Sequence, residues 1–178
     1  MSHLLVYATT LSRLHADLLI VRLKQADVAT SQISVLHPKA SRPNSTRCWL
    51  NGSMRLPLSS GETISVAGSL GHALRRASER GVSDSLTSRL NAMGFSASQS
   101  HDLDERLLEN RIIVAIDVPG EFELPAIFRA MRSVAAEDIQ AVNLQRVRNH
   151  AEERYFSGSQ SGLTPLARLL AATSGAFA

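Results

Sequence analysis

Two stretches of the chain repeat one order of apolar and polar positions. Residues 3–36 open on an apolar run (LLVYA), cross a polar joint (TTLS), continue with helical spacing and close on QISVL. Residues 111–144 follow with IIVAI, the joint DVPGE, a second helical stretch and DIQAV. At an offset of 108 residues, Leu19, Ile20, Leu23 and Ala26 coincide with Ile127, Phe128, Met131 and Val134. Positions i, i+1, i+4 and i+7 share one helix face, so each copy predicts a helix between two strands. Two β-α-β halves in tandem predict an α+β fold, a ferredoxin-like βαβ-βαβ sandwich whose duplicated halves are residues 3–37 and 111–144.

The halves are separated by residues 38–110, too long for a plain loop. Residues 47–50 and 53–58 flank Asn51-Gly52, a pair suited to a tight hairpin turn. Ser59-Ser60-Gly61 turns the chain again toward a third short strand at 62–67. Pro57 cannot donate a ladder hydrogen bond, which assigns its strand to a sheet edge. The remainder predicts helices at 69–80, from a cap at Ser83 to Met93, and at 97–109, with Asn110 as a left-handed C-cap. The insertion therefore combines a β-hairpin with helices, and residues 1–145 read as a single domain. A polar, then Ser/Gly-rich, extension occupies 146–178 and ends in LTPLARLLAATSGAFA. Thr164 and Pro165 suit the start of a short helix there, which would serve as a docking peptide for a protein partner.

The strands carry a statement about assembly. Leu4, Val6 and Ala8 point one way and Leu5 and Tyr7 the other; Ile112, Val114 and Ile116 likewise oppose Ile113 and Ala115. A two-layer sandwich with one wet face would alternate apolar with polar residues. These strands are apolar on both faces, so the second face must be covered by the inserted helices or by another subunit. The reading favours a homodimer through that face.

Charge narrows the function classes. The 178 residues hold 19 basic and 16 acidic side chains, a net charge of +3. By region this is +5 for residues 1–60, −4 for 61–145 and +2 for 146–178, with no run of four basic residues. A nucleic-acid footprint needs a positive patch or stripe, and an RNA-reading sheet needs aromatics on its central strands, where only Tyr7 stands; nucleic acid is not an expected partner. No apolar window of about 18 residues predicts a membrane span. The lone Cys48 excludes an intramolecular disulfide and predicts a reducing, cytoplasmic setting.

Two resemblances follow from the residues. VYATTLSRLHADLLIVRLKQADVATSQISVL and MGFSASQSHDLDERLLENRIIVAI resemble the two landmarks of the bacterial heat-induced, or general stress, protein domains, over residues 4–37 and about 80–142. This resemblance carries structural patterns and no catalytic signature. The relatives' Gly/Ala-rich segment between the landmarks is replaced here by the hairpin region and AGSLGHALRR. IIVAIDVPGEFELPAIFRAM is similar to the opening of ACT-type regulatory modules, which bind amino acids or other small effectors at dimer interfaces. That likeness implies a ligand site at Asp117, Pro119 and Gly120, the glycine letting backbone amides approach a carboxylate near a helix N-terminus.

From the residues themselves, the candidate anion site is the Gly68-Ser69-Leu70-Gly71-His72 turn, where Ser69 and Gly71 open a helix and Arg75 lies one turn on. The plainer alternative is a Gly/Ser helix start followed by solvated arginines. The six histidines show no metal-ligand spacing, and Asp102 and Glu105 read as first-turn acids opposing a helix dipole. No nucleotide-binding or nucleophile motif is present, so no catalytic residue, metal or cofactor is expected. The sequence thus predicts a stress-associated, non-catalytic interaction or regulatory module acting as a homo-oligomer. An ACT-like small-effector sensor is the alternative, and an enzyme of unknown class is a third reading with no constellation behind it.

Overall fold

The structure, a computed structural model, describes residues 4–38, 53–79, 81–82 and 85–144, all within one compact unit, Met1–Val147. The 47–50 strand with Cys48, the Asn51-Gly52 turn, Ser83 and the whole C-terminal extension lie outside the described residues.

The first half forms β1 (Leu4–Thr10), α1 (Arg13–Gln25) and, after a 3-10 turn, β2 (Ile33–His37). Ser12 caps α1, its hydroxyl accepting from the His15 amide. The second half forms β5 (Ile112–Val118), α5 (Leu124–Ser133) and β6 (Glu137–Asn143). Between them come β3 (Ser53–Pro57), β4 (Thr63–Ala67), α2 (Ser69–Glu79), α3 (Leu86–Ala92) and α4 (Ala97–Leu108). Gly61 at φ 83° closes the β3–β4 turn, as the Ser-Ser-Gly pattern predicts. The cap of α3 is Ser85, two residues beyond the predicted Ser83, and its hydroxyl accepts from the Ser88 amide.

One six-stranded sheet runs β3-β4-β2-β5-β1-β6, with every neighbouring pair antiparallel. β3 is an edge strand, where Pro57 requires it to be. β1 and β2 are both antiparallel to the intervening β5, so they run parallel to each other with α1 as their crossover. β5 and β6 stand in the same relation across β1, with α5 as crossover.

The two sheet faces carry separate cores. Val6, Ala8, Val114 and Ile116 pack against Ala16, Leu19, Ile20 and Leu23 of α1 and Ile127 and Met131 of α5. Leu5, Tyr7, Ile113 and Ala115 pack against Leu70 and Leu74 of α2, Leu86 and Leu90 of α3, and Leu103 and Leu107 of α4. The molecule is therefore α+β, with the sheet between two helical layers. This corrects the expected dimer interface. The second apolar face is filled by the chain's own inserted helices, so it is not available to another subunit.

Candidate functional site

Neither sequence-predicted site assembles into an open anion cradle. Gly68 has φ 93°, and a Cβ there would stand 2.2 Å from the Ile33 carbonyl oxygen and 2.7 Å from Ser34 Cα, so only glycine lets α2 begin this close to β2. At the helix start the Leu70 amide donates to Ser34 Oγ at 2.9 Å, and Ser69 Oγ lies 3.1 Å from the same hydroxyl. A buried side chain of the chain itself thus occupies the place of an anion. Gly71 is buried and Arg75 is exposed, pointing to solvent rather than to a shared ligand position.

The second set lies on the other side of the sheet. Asp117 is the penultimate residue of β5, and Pro119-Gly120 leads to a 3-10 turn, Glu121–Glu123, before α5 begins. A Cβ on Gly120 would meet nothing within 4 Å, so no close approach demands glycine. Glu123 occupies the N-cap position of α5. Its carboxylate accepts from Gln32 Nε2 at 3.1 Å, while the same amide donates to the Asp117 carbonyl at 3.2 Å. An incoming carboxylate would meet a negative charge at this helix start.

The structure instead draws polar groups together in a cleft between α4 and the β1–β6 edge. It is a cavity of about 150 Å³ lined by Tyr7, Thr9, Asp102, Leu103, Glu105, Arg106, Glu109, Asp138 and Gln140. Its floor comes from the sheet. Tyr7 is 2% exposed, and its hydroxyl donates to Gln140 Oε1 at 2.7 Å. Thr9 Oγ1 donates to Asp138 Oδ2 at 3.1 Å. Asp138 sits where the β1–β6 register shifts, at φ 49°, and lines the cleft on the same side as Gln140 two residues on.

The wall is one face of α4. Asp102, Glu105, Arg106 and Glu109 follow i, i+3, i+4, i+7 spacing, while Leu107 is buried on the other side and the buried Leu103 borders both the core and the cavity. This corrects the reading of Asp102 and Glu105 as first-turn acids. Ser96 and Gln99 form a capping box, α4 begins at Ala97, and its first turn contains no acid. Arg106 Nε lies 3.0 Å from Asp138 Oδ2 and its Nη1 3.1 Å from Glu109 Oε2. The Glu109 bond, with Asp138 in support, raises the guanidinium's already high pKa further. Arg111 extends the network by pairing with Glu137.

Four carboxylates thus line the cavity with Arg106; Glu109 and Asp138 pair with its guanidinium, and Glu105 lies 3.3 Å from His101 Nε2. Burial, and then the charges of Asp102 and Asp138, push the Tyr7 hydroxyl up to about 12. The phenol stays protonated at neutral pH, a fixed hydrogen-bond donor rather than a base. The cleft contains no thiol, serine or imidazole, and among the described residues no group of three or more His, Cys, Asp or Glu is placed to hold a metal ion.

No known family, curated protein or solved structure matches the chain. Among the described residues, no helix is long and apolar enough to cross a membrane.

Sequence reasoning missed the cleft for a definable reason. The four charged α4 positions were legible as one helix face. Their companions Tyr7, Asp138 and Gln140 lie on strands at opposite ends of the chain, and the Asp138 conformation has no sequence signature.

Proposed function

We propose that this protein is a non-catalytic interaction module that receives a lysine or arginine side chain of a protein partner in the α4–β6 cleft. The observation that carries the reading is the convergence of Asp102, Glu105, Glu109 and Asp138 on one small cavity beside a single arginine. A volume of about 150 Å³ suits the end of a side chain. Sites for whole small molecules run from roughly 300 Å³ upward. The effector-sensor alternative at residues 117–120 is less well supported, because Glu123 already places a carboxylate at that helix start.

The same reading includes a duplicated ferredoxin-like core. Its support is the β2-β5-β1-β6 order of the four strands from the two halves, each parallel pair being joined by one helix. The stress-protein likeness and a cytoplasmic setting belong to it as well, on the sequence grounds given. Homo-oligomerisation remains part of the proposal with a different surface. Leu11, Leu14 and Leu18 are 54%, 76% and 42% exposed, and the following Val21 is half-buried. Within α1, Leu14, Leu18 and Val21 share the i, i+4, i+7 face of a helix–helix seam, which α1 of a second copy would match, and Leu11 lies just before the Ser12 cap.

Arginine ethyl ester and butylamine are suitable probes of the cleft. Calorimetric or NMR titration at low ionic strength should give saturable binding that weakens with salt, as attraction between exposed charges requires. A folded Asp102→Asn/Glu105→Gln variant should bind at least tenfold more weakly. Absence of saturable binding, or equal binding by that variant, would reject the reading.

A further inference from the structure

The cleft stands at an open margin of the sheet. β6 is the last strand in the order β3-β4-β2-β5-β1-β6, and among the described residues it pairs with β1 alone. In an antiparallel pair, alternate residues turn both amide and carbonyl toward the partner strand, and the residues between turn theirs outward. β6 therefore presents a row of backbone donors and acceptors along its free side, a template on which another extended chain can add. The two edges of the sheet differ. β3 has five residues and ends on Pro57, whereas β6 has seven and contains no proline.

Register sets that free edge beside the carboxylates. Tyr7 lies opposite Gln140 and Leu5 opposite Val142, and Leu5, Tyr7 and Val142 belong to the core beneath α2, α3 and α4. Gln140 thus stands on the α4 side of the sheet, where it lines the cleft with Asp138. Ile139 packs against the α1–α5 core on the other face. A strand laid along β6 continues this alternation, with every second side chain on the α4 side next to Asp138, Gln140 and Val142. There it meets Asp102, Glu105 and Glu109 of α4. The neighbouring cations are already engaged, Arg106 with Glu109 and Asp138 and Arg111 with Glu137. Negative charge is in excess along this border.

We infer that β6 is the docking edge for an extended basic peptide, a partner segment that adds to the sheet as a further strand and places alternate lysine or arginine side chains in the cleft. This rests on the cleft reading and specifies the partner's conformation. Backbone pairing supplies affinity that is independent of side chains, and the carboxylates select the cationic positions. A second copy's β6 is a poor occupant, because it would bring an equal set of carboxylates to the same border. The acids that guard this edge against self-pairing are the ones that favour a basic strand.

The test uses the full chain and synthetic peptides with blocked ends. The parent peptide is an octapeptide in which threonine and arginine alternate. Two analogues carry backbone N-methyl groups, one at every arginine and the other at every threonine, so that each loses the amide donors of one side of the strand. In calorimetric titration at low ionic strength the parent peptide should bind at least tenfold more tightly than arginine ethyl ester. One analogue should bind at least tenfold more weakly than the parent and the other within a factor of about three, although all three carry the same charge. The Asp102→Asn/Glu105→Gln variant should weaken the parent peptide at least tenfold. Amide exchange followed by NMR should slow at alternate β6 residues when the peptide is bound. Equal binding by the two analogues, with arginine ethyl ester still saturating the cleft, would overturn strand addition and leave the cleft reading standing. Failure of ester and peptide alike would remove both. Protection of every β6 amide before peptide is added would also overturn the inference, because the edge would already be filled by the chain itself or by a second copy.

Discussion

At the scale of single residues, His37 shows how burial converts into a pH dependence. Burial first, and the neighbouring Arg13 charge second, lower its pKa from 6.5 to about 4. A base whose folded pKa is depressed binds fewer protons in the native state than in the unfolded chain across that interval. Stability therefore rises with pH between about 4 and 6.5 and is lost as the solution is acidified through the same window. The full displacement corresponds to at most about 3 kcal/mol, and partial exposure reduces it. Urea titrations in phosphate-free buffer at pH 7 and pH 4.5 should show the parent losing 1–2 kcal/mol more than His37→Leu, as a rough magnitude from the same conversion. An equal loss in the two proteins would show that other groups govern acid stability.

At the scale of elements, the β4–α2 junction turns on two small residues. Gly68 adopts a left-handed φ against the β2 backbone, and Ser34, 0% exposed, supplies the hydroxyl that caps the next helix. Gly68→Ala forces a methyl group into the Ile33 carbonyl, a backbone atom with no rotamer to yield. The expected cost is about 2–4 kcal/mol, with the urea midpoint lowered and the m-value unchanged. Gly61→Ala is the control. Its φ is also positive, but nothing lies within 4 Å of the added carbon, so about 1 kcal/mol is expected. A Gly68→Ala variant no less stable than Gly61→Ala would contradict the packing described.

Helices and turns were the more legible elements. Asn110 at φ 61° is the left-handed C-cap its sequence position suggests, and the Ser-Ser-Gly turn joins the strands it was expected to join. Asp138 is the counterexample. It reads as an ordinary polar strand residue, yet it occupies the left-handed region at a register shift in the floor of the cleft. Only the pairing of β6 against β1, with its extra residue, dictates it.

At the scale of the whole molecule, the layer added by the insertion changes the account of assembly. With Leu5, Tyr7, Ile113 and Ala115 covered by α2, α3 and α4, the large apolar side chains left exposed among the described residues are Leu11, Leu14, Leu18 and Phe122, and the proposed self-association uses Leu14 and Leu18 on α1. Light scattering at micromolar concentration should report a dimer, and Leu14→Glu should return it to monomer without loss of helical signal, since that side chain is 76% exposed. A monomeric parent protein would remove homo-oligomerisation from the proposal while leaving the cleft untouched, because α4 and α1 lie on opposite faces of the sheet.

The sequence by itself determined the two β-α-β units, the helices of the insertion and its Ser59-Ser60-Gly61 turn between two strands, and the need to cover both faces of β1 and β5. Those properties depend on periodicity, turn chemistry and apolar content, which are local or summed along one element. Only the tertiary structure decided what covers the second face and which polar groups meet. It joined Tyr7 to Gln140 and Thr9 to Asp138, and brought Ser34 to the start of α2. Such meetings depend on strand order and register across long stretches of chain, and no spacing in the sequence encodes the distance between side chains that folding alone makes neighbours.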